Sequence, residues 1–180
     1  MPETPEQSPR QRLFFALWPD GRTREALAGL QAALPVRGGR PMRVENIHLT
    51  LAFVGETDAD TRDCLIRQAG SLRLSPLRFR IERLGYFPRP RVLWAGPRQT
   101  PEALAGLVAA LNAALAPCGY VPEARPFRAH VTLFRKVVRA PRPLAFEPIE
   151  WPVTDLCLVE SVPEAGGVRY AVIARFPLTG

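Results

Sequence analysis

Two histidines are the only imidazoles in this 180-residue chain, and both open the same tetrapeptide pattern. The first lies in Asn46-Ile47-His48-Leu49-Thr50-Leu51 and the second in Ala129-His130-Val131-Thr132-Leu133, so His-apolar-Thr-Leu recurs 82 positions on, from 48 to 130. At ordinary residue frequencies, Thr and Leu would follow both histidines by chance about once in tens of thousands of such sequences. A lone histidine in an apolar run is usually a structural one, satisfied by a neighbour. Two in one motif, each with a hydroxyl two residues on, argue for chemistry instead. An imidazole titrates near neutrality, so one can remove a proton while the other supplies one. Two threonine hydroxyls can donate hydrogen bonds to an anionic group held between them.

The surrounding residues say how these groups are carried. Both tetrapeptides sit in runs rich in β-branched and aromatic residues, 47–54 and 130–138, which read as strands. Side chains alternate faces along a strand. His48 and Thr50 therefore share one face while Leu49 and Leu51 take the other; His130 and Thr132 likewise stand opposite Val131 and Leu133. If the two strands lie side by side, both imidazoles and both hydroxyls line one groove.

The remaining elements follow from pattern. Residues 12–18 read as a central strand, apolar on both faces, and Pro19-Asp20-Gly21 as a turn. A helix follows, with Leu27, Leu30 and Leu34 on its stripe and Pro35 at its end. A second helix is capped by Thr57 or Asp58 and buries Leu65, Ala69 and Leu72. Residues 77–86 and 91–95 read as two strands around the turn at 88–90. Thr100-Pro101-Glu102 marks a third helix, with Thr100 as N-cap, Leu104, Leu107, Val108, Leu111 and Leu115 inward, and Gly119 past its end. A proline-rich connection, 141–152, leads to a closing hairpin of 155–162 and 169–176, turning near Gly166-Gly167. Short antiparallel strands mixed with helices indicate an α+β fold. The repeated motif fits a duplication into two lobes around a pseudo-twofold cleft, the whole chain being one bilobal domain with residues 1–10 a flexible lead. No glycine-rich nucleotide loop is present.

Composition narrows the setting. With 47% apolar and 23% charged residues the chain is ordinary globular material rather than disordered. The net charge of +7 favours an anionic partner such as nucleic acid. Yet every basic residue except Lys136 is arginine, spread along the chain, which fits coding composition equally well. Cys64, Cys118 and Cys157 are odd in number and widely spaced, which argues against a disulfide framework or zinc knuckle and fits a reducing cytoplasm. The polar start is no signal peptide, and no apolar run reaches the roughly 18 residues of a membrane helix. Two histidines without a nearby Cys or clustered carboxylates are thin ligation for a metal.

At this point the chain resembles the 2H phosphoesterase superfamily, named for its two His-x-Thr motifs, and within it the RNA 2',3'-cyclic phosphodiesterases, also called 2'-5' RNA ligases. The likeness rests on the opening Arg12-Leu13-Phe14-Phe15-Ala16-Leu17, the block from Asn46 to Glu56, Arg91-Val92-Leu93-Trp94-Ala95-Gly96, and the block from Phe127 to Arg135. It extends to Ser161 and Tyr170 near the end. One departure is Ala129, where these enzymes usually carry Pro, a change expected to loosen the strand entry.

The resemblance implies a two-lobed fold with antiparallel sheets around a central cleft and helices outside. It implies hydrolysis of RNA 2',3'-cyclic phosphate ends, or of a cyclic nucleotide, to a 2'-phosphate, with no metal and no cofactor. His48 would be proton donor and His130 acceptor by family convention; a nearly symmetric cleft does not itself assign the roles. Thr50 and Thr132 would hold the non-bridging oxygens. Arg135 matches a phosphate-contacting position, but strict alternation puts it opposite His130, so that role needs a bulge or strand end. Phe14, Phe53, Trp94 and Phe127 offer faces to a base, the alternative for each being a place in the core; Phe14 and Phe127 are the substrate-binding candidates. A cytoplasmic monomer without membrane attachment is expected. Two other functions stay open: 2'-5' joining of RNA ends by the reverse chemistry, and non-catalytic binding of RNA ends.

Overall fold

The first strand forms because residues 13–17 are apolar on both faces. All five are buried in β1 (Gln11–Leu17), which the computed structural model places inside its largest sheet. The structure describes residues 9–142 and 144–180, so residues 1–8 of the expected lead lie outside the described residues. Asp20 caps α1 (Gly21–Ala33) by accepting from Thr23 N at 2.7 Å. After the two-residue β2 (Arg40–Pro41) and a 3-10 turn at Val44–Asn46, β3 (Leu49–Thr57) carries the first motif. Asp58, one of the two expected caps, then starts α2 (Ala59–Gly70).

The next stretch corrects one expectation. Residues 77–86 are two strands, β4 (Leu77–Ile81) and β5 (Arg83–Phe87), and they belong to different sheets. The alternation of Leu77, Phe79 and Ile81 with arginines loses phase at Glu82-Arg83, and Glu82 N turns to donate to Gly96 O at 2.9 Å. Next come β6 (Val92–Gly96), α3 (Glu102–Leu115), and β7 (Val131–Arg135) with the second motif. The five expected apolar residues of α3 are buried.

The proline-rich connection also differs from expectation, since its end forms β8 (Ile149–Val153), paired with β4 as a separate two-stranded sheet. Pro152 is tolerated because such a strand has a free edge. The hairpin β9 (Asp155–Glu164) and β10 (Gly167–Pro177) closes the chain.

Among the described residues the fold is mixed α and β, with a large antiparallel sheet, three α-helices and no closed barrel. The large sheet runs β10-β9-β1-β3-β7-β6-β5, with β2 against β7. The sheet thus has two sides that meet where the motif strands touch: β1 and β3 with the late hairpin on one, and β7 with β6 and β5 on the other. The main core lies on one face of this sheet, beneath the helices, and includes Leu13, Phe15, Leu49, Val131 and Leu133. A smaller cluster of Phe14, Ala16, Cys157 and Val159, with Trp18, Tyr170 and Val172, lies apart from it.

Three local expectations are overturned. Thr100 does not cap α3: Pro101 holds the cap position, and the Thr100 hydroxyl accepts from Ala129 N at 3.1 Å. A proline at 129 has no N–H to give, so the departure there supplies a tie that fixes the strand entry rather than loosening it. Cys64 and Cys118 form a disulfide between α2 and the turn after α3, with Cα atoms 5.7 Å apart, leaving Cys157 free and buried. Spacing hid this pair because 54 positions separate residues that the packing of α2 on α3 brings together. Closing a loop of that length constrains the unfolded chain by about 4 kcal/mol in the chain-entropy picture. Among the described residues no helix is long and apolar enough to cross a membrane.

Candidate active site

The two motif strands are antiparallel neighbours, registered at Leu49 opposite Val131. Antiparallel pairing then sets His48 across from Thr132 and Thr50 across from His130. Ile47, Leu49, Leu51, Val131 and Leu133 anchor the other face, each between 0% and 5% exposed. The motif residues are thus related by a local twofold where the two motif strands meet.

The symmetry continues past the threonines. Against β1, Thr50 pairs with Ala16 and Ala52 with Phe15, so Leu51 is an extra residue on β3. Against β6, Thr132 pairs with Trp94 and Phe134 with Leu93, so Leu133 is an extra residue on β7. Each strand bulges at the third residue after its histidine. A bulge resets the alternation: Leu51 with Ala52, and Leu133 with Phe134, all turn to the main core. The fifth residue after each histidine, Phe53 and Arg135, comes back to the histidine face. Arg135 therefore meets the condition that strict alternation denied it. The β7 bulge is held from α1, where the buried side chain of Gln31 donates to Leu133 O at 2.8 Å and Met42 O at 2.9 Å. Met42 N donates to the same Leu133 O at 2.8 Å.

Both imidazoles are fixed in the same way. His48 Nδ1 lies 2.6 Å from Asn46 O, and His130 Nδ1 lies 2.8 Å from Arg128 O. A carbonyl oxygen only accepts, so Nδ1 is the protonated nitrogen in each neutral ring and Nε2 offers a lone pair. Thr50 Oγ1 sits 3.0 Å from His48 Nε2 and donates to it in that tautomer. His48 stacks on Trp18 at 5.5 Å between centroids, with Phe14 at 5.0 Å and Tyr170 edge-on at 5.1 Å. His130 has Phe87 at 5.2 Å and Trp94 at 6.2 Å. Trp94 reaches that place because Gly85 lies under its ring, where any Cβ would fall 2.0 Å from it.

Burial dominates the titration of both rings. It pushes His48 down to about 4, helped by the Arg135 and His130 charges and opposed by the Asn46 carbonyl. His130 is lowered first by burial and then by Arg135 and Arg128, against the Arg128 carbonyl. Both rings are neutral at pH 7 in the unliganded protein.

A cavity of about 760 Å³ opens over the first motif, with His48, Thr50, Phe14, Arg135, Ser161 and Tyr170 among its walls. His130 and Thr132 are not part of that wall, although the register sets them beside Thr50 and His48. Phe14 is only 4% exposed, committed to packing on His48 and Tyr170. Phe127 packs against the main core and does not reach the cavity. Among the described residues no group of three or more His, Cys, Asp or Glu gathers as a metal site.

Comparison with known proteins agrees with this geometry. The family model described as LigT like phosphoesterase matches residues 17–94. The RNA 2',3'-cyclic phosphodiesterase of Escherichia coli strain K12 is 36% identical over 173 residues, covering 94% of this chain and 97% of its own. The chain belongs to the LigT-like phosphoesterase family. Its fold matches the E. coli LigT crystal structure in apo form with a TM-score of 0.86 at 35% identity, covering 96% of this chain and 100% of that one. The same protein complexed with 3'-AMP matches at 0.84 and 34%, covering 95% and 99%.

Within this LigT-like frame, sequence reasoning passed over Asn46. Its side chain, 4% exposed, donates to Val168 O at 2.8 Å and accepts from Tyr170 N at 3.1 Å, while its own carbonyl holds His48. One residue therefore ties β10, and with it the Tyr170 ring, to the first histidine. The signal was there: an amide directly before an apolar strand, two residues ahead of the imidazole. Trp18 was equally visible on the alternating face of Phe14 and Ala16. Gln31 gave no such sign.

Proposed function

We propose that this chain hydrolyses 2',3'-cyclic phosphate ends of RNA to 2'-phosphates, without a metal, through His48, His130, Thr50 and Thr132. The observation that carries the reading is the twofold pair of His-x-Thr groups on one face of the sheet, joined there by Arg135. The kinship with RNA 2',3'-cyclic phosphodiesterases supports the choice of substrate, as does a fold shared with a protein complexed with 3'-AMP, a nucleotide phosphorylated on its ribose.

In the proposed reaction His130 Nε2 takes a proton from water as its oxygen bonds to phosphorus. The bond from phosphorus to the 3' oxygen breaks, and His48 Nε2–H protonates the departing oxygen. Thr50, Thr132 and Arg135 meet the non-bridging oxygens, where charge accumulates. Assignment of donor and acceptor follows the family convention, and one contrast supports it: His48 Nε2 is paired with Thr50, whereas among the described residues His130 Nε2 has no hydrogen-bond partner and its lone pair is free for water. His48 is neutral in the unliganded protein, so it must load its proton as the anionic phosphate arrives and offsets Arg135.

All four motif residues come from one chain, so we take the unit of function to be a monomer whose two halves act as one bilobal domain. We place it in the cytoplasm because its proposed substrate is RNA; the Cys64–Cys118 bond removes the support once drawn from the cysteines.

The test is incubation with a nucleoside 2',3'-cyclic phosphate and excess EDTA, followed by identification of the product. A 2'-phosphate formed at an undiminished rate is expected. A 3'-phosphate would reverse the leaving group, and folded protein that turns over neither mononucleotide nor cyclic-ended RNA would sink the hydrolase reading.

A further inference from the structure

Residues 119–130 form neither helix nor strand, yet they end on the second histidine. The stretch is held at both ends. The Cys64–Cys118 bond pins the residue before it, and near its end Ala129 N donates to Thr100 Oγ1 at 3.1 Å. Ala129 is buried and lies tight against β6, where a Cβ on Gly96 would fall 2.7 Å from Ala129 O. Thr100 is itself placed by its neighbour, since a residue before proline is confined to extended backbone and Pro101 follows. The N–H that Thr100 receives belongs to the same peptide group as Arg128 O, and Arg128 O is the acceptor that holds His130 Nδ1 at 2.8 Å. The first motif repeats the arrangement with backbone alone. Asn46 O holds His48 Nδ1, and the N–H of that peptide, Ile47 N, donates to Val44 O at 3.3 Å.

We infer that Thr100 is the positioning residue of His130, acting through the Arg128–Ala129 peptide. The inference rests on the hydrolase reading, in which His130 is the base, and deepens it by naming what aims that base. A peptide group is planar, so an anchored N–H fixes the direction of the carbonyl opposite it. Donation from the N–H also polarises the amide and makes Arg128 O a stronger acceptor. Both effects favour the Nδ1–H tautomer of His130 and keep the Nε2 lone pair available to water. Among the described residues no backbone carbonyl does for Ala129 N what Val44 O does for Ile47 N, and a side chain from between β6 and α3 takes that place. Residue 129 can give this hydrogen bond only because it is not the proline that these enzymes usually carry.

The experiment pairs steady-state kinetics on a nucleoside 2',3'-cyclic phosphate with ring-nitrogen NMR of both histidines. Thr100→Val and Thr100→Ala drop the hydroxyl and should lower kcat about 10-fold with KM near native, the scale on which a working histidine suffers when the group orienting it is lost. Thr100→Ser keeps the hydroxyl and should keep kcat. In an Ala129→Pro background the N–H is gone, so Thr100→Val should cost nothing further. In the spectra, native His130 should show a single Nδ1–H tautomer at pH 7. Thr100→Val should turn it into a mixture of tautomers while the His48 signals stay. Native kcat or unchanged His130 signals in Thr100→Val overturn the inference, as does a shift of both histidines together, which marks a general loosening. A native protein without turnover refutes the hydrolase reading, and the positioning then stands or falls with the tautomer shift alone.

Discussion

His48 is enclosed by Trp18, Phe14 and Tyr170, and that enclosure sets its acid–base behaviour. Water is excluded from the imidazolium, so the folded-state value drops to about 4 against an ordinary 6.5. Between those values the unfolded chain binds more protons than the folded one. The contribution of His48 to stability is therefore complete above pH 6.5 and is lost as pH falls toward 4. A bound phosphate reverses the trend by giving the imidazolium a counter-ion. In a ring-proton NMR titration, the free protein should show His48 titrating near 4, and inorganic phosphate should move it upward by about one unit or more. A free-protein midpoint at the ordinary value would show that the aromatic enclosure is open to water. The histidines and threonines were legible in the sequence because their chemistry is rare and repeated. The aromatics were not: Phe14 and Phe127 look alike as letters, and only the sheet decides that one touches His48 while the other packs into the core.

At the scale of elements, the decisive feature is a pair of bulges that alternation rules do not foresee. Read as ideal strands, both motifs put their fifth residue on the wrong face. Nothing in Leu51 or Leu133 marks it as an extra residue, since a leucine is equally at home in a regular strand. What holds the second bulge is remote in sequence: Gln31, on α1, whose amide meets Leu133 O. Gln31→Leu removes that donor and leaves buried carbonyls less satisfied, a cost of about 1–3 kcal/mol. Because Arg135 follows the bulge by two residues, the variant should also raise KM more than it lowers kcat, while Gln31→Glu, which keeps the shape but not the donor, should share the defect. Steady-state kinetics beside thermal unfolding check this; a variant that loses stability but keeps its native KM would detach the bulge from substrate binding. Strand order was less visible than strand identity for a related reason. The two strands within 77–86 differ by a phase slip at Glu82-Arg83, and β8 hides behind Pro152.

For the whole molecule, the repeated motif was readable and its setting was not. The sheet brings the two motif strands together edge to edge, with a single registered pair, Leu49 and Val131, at the axis. The α+β class and the helix faces followed from periodicity. The disulfide did not, since Cys64 and Cys118 become neighbours only when α2 packs on α3. Arg10, Arg12 and Arg135 line one cavity, but Glu56 and Glu160 share its wall, so the net charge of +7 is not concentrated there. The central claim is that each half contributes one histidine to a single reaction. Single variants His48→Ala and His130→Ala, assayed on a dinucleotide 2',3'-cyclic phosphate, test it most directly, with 3'-AMP affinity measured alongside. Each should lose about 10²- to 10⁴-fold in kcat, with nucleotide affinity nearly unchanged. Either variant retaining native turnover would contradict a mechanism shared between the halves.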